Sequence, residues 1–178
     1  MKILVLSDSH RRYIDDIDFS KYDYVFHCGD YGVSRDVLEN NQNLYYVAGN
    51  CDFGNNKEVL VNILNKKIYM THGDLYHVKY HFNSLIYKAI ENEANICLFG
   101  HTHEQKIFVR DNILFINPGA YQDGFYVEIE DDGIFFYYNS SLRKKFDYKW
   151  WFSCQSSLYL KYYNLIYLIN QLKKLMLF

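Results

Sequence analysis

Proline occurs once in the 178 residues, at Pro118, and no two of the four cysteines (Cys28, Cys51, Cys97, Cys154) stand at C-x-x-C spacing. That spacing pattern argues against a disulfide framework and a thiolate zinc site, and it suits reduced thiols in a cytoplasmic protein. Long basic runs are missing too, and the formal net charge is -2. The whole-molecule field therefore does not attract duplex nucleic acid, and no extended nucleic-acid partner is expected. No uninterrupted apolar stretch is long enough for a membrane span, and the apolar start of MKILVLSDSH is too short for a signal peptide. Internal repeats and low-complexity linkers are also absent. What remains is globular in composition, 49% hydrophobic and 22% charged, with heavy use of Tyr (19) and Phe (13). The length suits one domain with a substantial core.

Five short apolar runs organise the chain: KILVLSD (2–8), YVFHCGD (24–30), LYYVAGN (44–50), KIYMTHG (67–73) and ICLFGHT (96–102). Runs of this length and composition predict strands buried on both faces. Each ends in a turn carrying a polar side chain able to bind metal: Asp8 and His10, Asp30, Asn50, His72, then His101 and His103. Ligands collect beyond the carboxyl ends of strands in open α/β sheets, so these ends are expected to converge in one crevice. His101 and His103 sit at i and i+2, which on extended backbone aims both imidazoles to one side. Taken alone, an H-x-H pair is better explained by two surface or hydrogen-bonded histidines than by a metal site.

Segments 34–40 and 76–93 have helical patterns, the second with Val78, Phe82, Leu85, Ile86 and Ile90 as an apolar stripe. From residue 106 the pattern changes to KIFVR, ILFIN, FYVEIE and IFFYYN, with turns at Asp111-Asn112 and Asp132-Gly133. A parallel set followed by an antiparallel set predicts two sheets packed face to face with helices outside. The division expected is a domain over 1–145 and a helical extension over 146–178. In that extension Leu158, Tyr162, Leu165, Ile169, Leu172 and Met176 form a heptad seam. The seam is expected to pack on its own domain, with pairing to another subunit of a homo-oligomer or a place on a membrane surface as the alternatives.

Two carboxylates, one amide and four imidazoles exceed the needs of one tetrahedral ion and fill two sites if a carboxylate bridges. Oxygen and imidazole ligands without thiolate suit Mn²⁺, Fe²⁺, Co²⁺, Ni²⁺ or Zn²⁺ rather than Ca²⁺ or Cu⁺. Two divalent ions against two carboxylates leave a local charge of about +2, or about +1 with a bridging hydroxide. Such a pocket attracts a small phosphate ester despite the acidic chain around it, and the chemistry expected is hydrolysis of a phosphorus–oxygen bond.

S-D-S-H (7–10), C-G-D (28–30), A-G-N-C-D (48–52), T-H-G (71–73) and F-G-H-T-H (99–103), in that order, resemble the calcineurin-like metallophosphoesterase superfamily. The fit is to its small single-domain bacterial and archaeal phosphodiesterase branch, and N-P-G-A (117–120) looks like that branch's N-P-G-S. The resemblance covers roughly residues 1–139 and implies an α/β fold, a four-layer α/β/β/α sandwich of two packed mixed sheets flanked by helices. It implies one ion on Asp8, His10, Asp30 and His103. It implies a second on Asp30, Asn50, His72 and His101, with Asp30 bridging and manganese the first choice of metal.

In many members of the superfamily a histidine that can protonate the leaving group follows the G-N. Here that position holds Cys51, so Asn50 and Cys51 are the candidate catalytic residues. The alternative for Cys51 is a small buried thiol in a tight turn. His27, before C-G-D, either orients a ligand or is an ordinary core histidine. Asp74 stands where the branch has a histidine, which leaves its substrate contacts open. The functional alternatives are a non-catalytic protein-binding scaffold like the retromer subunit of this fold, and a nuclease. A scaffold needs none of the seven side chains that this chain retains. Nuclease members carry basic surfaces and long additions.

Overall fold

The structure is a computed structural model, and it describes residues 1–147. Residues 148–178, which contain the expected heptad seam, lie outside the described residues. Eleven strands and two α-helices run in the order β1 (Lys2–Leu6), β2 (Tyr24–His27), α1 (Arg35–Glu39), β3 (Leu44–Tyr46), β4 (Glu58–Ile63), β5 (Lys66–Thr71), α2 (Asn83–Glu91), β6 (Ile96–Leu98), β7 (Gln105–Arg110), β8 (Ile113–Pro118), β9 (Phe125–Glu130), β10 (Gly133–Tyr138) and β11 (Ser141–Asp147). The first sheet has the order β11-β10-β9-β1-β2-β3 and the second β4-β5-β6-β8-β7.

Both sheets are mixed. In the first, β1, β2 and β3 are parallel and β9 runs antiparallel to β1. In the second, β5, β6 and β8 are parallel, with β4 and β7 antiparallel at the edges. The expectation of one parallel set against one antiparallel meander is corrected here. The five apolar runs divide three and two between the sheets, and the later strands divide as well, β7 and β8 joining one and β9 and β10 the other.

Alternation along the strands sets the layers. Leu4, Leu6, Val25 and Leu44 pack with Leu38 of α1, while Ile3 and Val5, on the opposite face of β1, are just as buried. In the second sheet Tyr69, Cys97 and Phe115 pack with Leu85 and Ala89 of α2, leaving Met70, Leu98, Leu114 and Ile116 buried on the other face. Each sheet therefore has a helix on one face and buried apolar residues on the other, which is the α/β/β/α sandwich. Gln105 ties the two sheets together, its Nε2 donating to the carbonyls of Tyr126 (3.2 Å) and Tyr137 (3.0 Å). Burying Leu85 contributes on the order of 2 kcal/mol to holding α2 on its sheet.

The second helix is shorter than its periodicity suggested. A 3-10 turn over Asp74–Tyr76 ends at His77 in the left-handed region (φ 54°), and regular helix starts only at Asn83. Val78, Phe82, Leu85 and Ile86 pack against the second sheet, so the apolar stripe holds that far, although its first members lie on a turn and Ile90 is exposed. Strands β4 and β11 were not anticipated. The β4–β5 turn uses Leu64 and Asn65 at positive φ, a conformation that a leucine does not advertise, and β11 is exposed along almost its whole length with no apolar alternation to read.

Candidate metal centre

The loops after β1, β2, β3, β5 and β6 all open at one end of the sandwich, and their backbones interlock. Asp8 N donates to Gly29 O (2.9 Å), His10 N to Asp30 O (2.9 Å) and Gly100 N to His72 O (3.0 Å). These bonds tie the loops after β1 and β2 to each other and those after β5 and β6 to each other; Cys51 N, donating to Asp30 Oδ1 (2.8 Å), adds the loop after β3, and His101 N, donating to Asp8 Oδ2 (3.1 Å), joins the two sets, so that all seven side chains named from the sequence meet there.

Asp8 Oδ1 lies 3.2 Å from His103 Nε2, 3.9 Å from His10 Nε2 and 4.0 Å from His72 Nε2. Asp30 Oδ2 lies 3.4 Å from His72 Nε2 and 3.9 Å from His10 Nε2, between the two sets of imidazoles. Asn50 Oδ1 is 3.3 Å from His72 Nε2, and His101 Nδ1 is 3.1 Å from that same nitrogen. His10 Nε2 and His103 Nε2 are 3.3 Å apart. Two nitrogens bound to one ion at about 2.1 Å stand about 3.0 Å apart at a right angle and about 3.4 Å apart at a tetrahedral angle. Both imidazole pairs have that spacing.

Two further features fit a cation. Asp8 Oδ1 is fully buried with no hydrogen bond of adequate geometry, despite the proximity of His103. An uncompensated carboxylate oxygen in a protein interior is costly unless a positive charge meets it. His72 Nδ1 is 2.8 Å from Cys28 O, a contact that fixes the proton on Nδ1 and turns the Nε2 lone pair into the cluster. Asp8, His10, Asp30, His101 and His103 all have positive φ, between 47° and 68°. Eight described non-glycine residues outside the cluster, among them Leu64, Asn65, Asp111 and Asn112, share this region, so it belongs to the turns that carry the ligands.

Supporting residues surround the cluster, and most had no role assigned from the sequence. Ser7 Oγ donates to Asp8 Oδ2 (2.5 Å), which also accepts from His101 N (3.1 Å). Asp52 accepts from the backbone nitrogens of Gly49, Tyr31 and Gly32, joining the third loop to the second. The N-P-G-A segment contributes Asn117, whose Nδ2 donates to Gly100 O (2.9 Å) and Thr102 Oγ1 (3.1 Å) and so holds the loop carrying His101 and His103. A buried Asn at a strand end was the available signal for this role. Arg12 is committed to structure, donating to Tyr121 O and lying over the Tyr121 ring. His77 and His81 are exposed on the turn before α2.

A family model described as the calcineurin-like phosphoesterase superfamily domain matches residues 1–128. The chain belongs to the calcineurin-like phosphoesterase superfamily. It is 33% identical over 129 residues to the probable metallophosphoesterase YsnB of Bacillus subtilis, covering 67% of this chain and 75% of that protein. It is 30% identical over 146 residues to the phosphodiesterase MJ0936 of Methanocaldococcus jannaschii, covering 67% and 83%. Among solved structures, a predicted phosphoesterase from Streptococcus pneumoniae superposes with a TM-score of 0.69 at 32% identity, covering 83% of this chain and 97% of that one. Vps29 of Entamoeba histolytica, in a zinc complex, has a TM-score of 0.66 at 21% identity over 83% and 99% of the two chains, a likeness of fold alone.

The electrostatics of this phosphoesterase-family cluster favour charged carboxylates. Burial raises the pKa of Asp8, but His103, His72 and Ser7 outweigh it and hold the carboxyl below its ordinary range. Asp30 is likewise raised by burial and brought well below its ordinary range by His72 and the Cys51 backbone. His101 goes the other way, lowered by burial and by the charges of His72 and Lys79. The charge of Lys79 also opposes protonation of His103, whose pKa is nevertheless raised by Asp8. Cys51 is exposed, not the small buried thiol of the alternative reading; partial desolvation and Asp30 raise its thiol, which keeps it protonated near neutral pH.

His27 is a buried supporting residue. Ser9 Oγ has one proton, and where it is donated to Tyr31 O (3.2 Å), the hydroxyl accepts from His27 Nε2 at 3.0 Å. Nδ1 is then a bare acceptor with no partner, and burial pushes the ring down to about 4. The unfolded chain takes up a proton near pH 6.5 and the folded chain does not, so stability is lost as pH falls from about 6.5 towards 4. Relative to His27→Asn, the wild type is expected to lose about 3 kcal/mol across that window in urea titrations. Parallel stability profiles for the two proteins would show that His27 is not held neutral.

Proposed function

We propose that the chain is a metal-dependent phosphodiesterase with a dinuclear centre. Asp8, His10, Asp30 and His103 would hold one divalent ion, and Asp30, Asn50, His72 and His101 the other. The observation that carries this reading is the position of Asp30 Oδ2, between His10 and His72 and within 4 Å of both, beside Asp8 Oδ1, a buried oxygen with no hydrogen bond. Bound ions would acidify water for attack on phosphorus and neutralise the phosphate oxygens, with manganese the first choice and nickel, cobalt, iron and zinc the others.

The chain's own groups complete the site. Lys79, whose charge opposes protonation of both His101 and His103, would attract the phosphate and offset its negative charge. Cys51 holds a proton next to Asn50, whose Nδ2 is 3.2 Å from Sγ, and is placed to give it to the departing oxygen. Asp52 and Asn117 keep the ligand loops from separating when the anion enters. A phosphodiesterase activity is supported by the name of the 30%-identical archaeal relative. The scaffold alternative needs no such donor set, and nothing in the cluster's geometry favours it. Among the described residues no helix is long and apolar enough to cross a membrane.

The test is hydrolysis of bis-p-nitrophenyl phosphate by metal-stripped protein with Mn²⁺ restored, beside Asn50→Ala. Activity that returns with metal and falls at least about a hundredfold in the variant is expected. A folded wild type inactive with every divalent ion would shift the account to the scaffold.

A further inference from the structure

Among the described residues, three groups of side chains bring metal-binding atoms within 4.8 Å of one another. Asp8, His10 and His103 form one, and Asp8, Asp30 and His72 another, both built from the ligands named above. The third is His10, Asp30 and Cys51, and of the three it alone brings sulfur.

The backbone places Cys51 in that group. Its N donates to Asp30 Oδ1 at 2.8 Å, so the loop tip closes over the carboxylate. Its Sγ lies 3.2 Å from Asn50 Nδ2, which leaves Asn50 Oδ1 to face His72 Nε2 at 3.3 Å. Neighbouring residues thus divide between the two proposed ions, the amide oxygen on the His72 side and the sulfur on the His10 side. The His10 side also presents an unsatisfied buried anion, since Asp8 Oδ1 is 3.9 Å from His10 Nε2 and has no hydrogen bond. Sulfur and nitrogen on one tetrahedral ion, at about 2.3 Å and about 2.1 Å from it, stand about 3.6 Å apart. Cys51 is exposed and its sulfur turns on a single bond, so little movement separates a spacing of at most 4.8 Å from that value.

Ion chemistry decides whether this sulfur binds. A thiol is a poor ligand and a thiolate a strong one, and borderline or soft ions accept sulfur where Mn²⁺ prefers oxygen. When Cys51 binds such an ion, its S–H bond breaks, the electron pair forms the metal–sulfur bond and the proton leaves to water. Beside Mn²⁺ the proton stays on sulfur.

We propose that Cys51 is a conditional metal ligand, which joins His10 and Asp30 around Co²⁺, Zn²⁺ or Cd²⁺ through Sγ and leaves Mn²⁺ to the oxygen and imidazole donors. The inference rests on the metal-dependent reading above and adds how the site tells its ions apart. A thiolate bound to Zn²⁺ or Cd²⁺ no longer carries the proton that Cys51 is placed to give, so the same residue links the choice of metal to activity.

The experiment adds Co²⁺ to metal-stripped protein and follows two absorptions. Visible d–d bands report that Co²⁺ is bound, and a near-ultraviolet sulfur-to-cobalt charge-transfer band reports that a thiolate is among its ligands. Wild type is expected to show both, and Cys51→Ser to keep the visible bands and lose the charge-transfer band. Competition titrations should give Cys51→Ser a Zn²⁺ affinity at least about tenfold weaker than wild type and a Mn²⁺ affinity within about twofold of it. Visible bands without charge transfer in wild type, a charge-transfer band that persists in Cys51→Ser, or equal losses of Zn²⁺ and Mn²⁺ affinity would overturn the proposal and leave the phosphodiesterase reading standing. A Cys51-dependent band in a protein that hydrolyses no bis-p-nitrophenyl phosphate with Mn²⁺ would uphold the sulfur ligand and remove the phosphodiesterase reading. Wild type that binds none of these ions would overturn both.

Discussion

Asp30→Asn is expected to reduce kcat/KM on bis-p-nitrophenyl phosphate by at least about a thousandfold and to leave no more than one tightly held ion per chain. Removing an outer partner of a metal ligand costs about 10–100-fold, and removing one transition-state donor about 10²–10³-fold. A carboxylate shared by two ions carries both duties at once. The substitution keeps the side chain's size, and the amide oxygen can still accept from Cys51 N, which is 2.8 Å from Oδ1. What it removes is the negative charge on Oδ2 between His10 and His72. Metal content by mass spectrometry and steady-state kinetics at rising Mn²⁺ check the two halves separately. A variant that keeps a tenth of the activity with two ions bound would place the bridge elsewhere, with Asp8 the next candidate, since its Oδ1 is 3.9 Å from His10 Nε2 and 4.0 Å from His72 Nε2.

Gly49→Ala should lose about a hundredfold in activity although no functional group is removed. A Cβ at Gly49 would collide with Asp30 Oδ1 and stand 2.6 Å from Asp30 N and 2.8 Å from its Cγ. Gly49 is not among the glycines with positive φ, so alanine is acceptable to the backbone and the cost arises from contact alone. Overpacking of this kind costs about 1–3 kcal/mol of stability, and here the group forced to move is the proposed bridge. Gly100→Ala should act in the same way on the first loop, where a Cβ would collide with Ser7 Oγ and lie 2.8 Å from Asp8 Oδ2. Gly54→Ala is the control, because its Cβ would meet only Ala48 Cβ at 3.0 Å and Tyr31 Oη at 3.4 Å. Activity and Mn²⁺ affinity measured across the three variants test the idea. Near-normal activity in Gly49→Ala would mean that Asp30 can move without consequence.

The strand ends were legible because a parallel strand buried on both faces writes itself as an unbroken apolar run, and the residue after the run is where a ligand loop starts. KILVLSD, YVFHCGD and KIYMTHG therefore gave both the element and the cluster position of Asp8, Asp30 and His72. The partition of the strands between two sheets was less legible, since nothing local to ILFIN marks β8 as the parallel neighbour of β6. Hydrophobic spacing overextended α2, because Val78 obeys the helical step while His77 has left the helix by its backbone angle. The supporting groups were the hardest to read. Asn117, near the end of β8, and Ser9, in the first loop, are ordinary polar residues, and their roles exist only once distant loops meet.

The central claim is that two ions share this cluster. Electron paramagnetic resonance of protein titrated with Mn²⁺ tests it most directly. The account predicts uptake of two Mn²⁺ per chain and a multiline spectrum from a spin-coupled pair, collapsing to the six-line pattern of an isolated ion in Asp30→Asn. A wild-type spectrum that keeps the isolated six-line pattern at saturation, with one ion per chain, would contradict it.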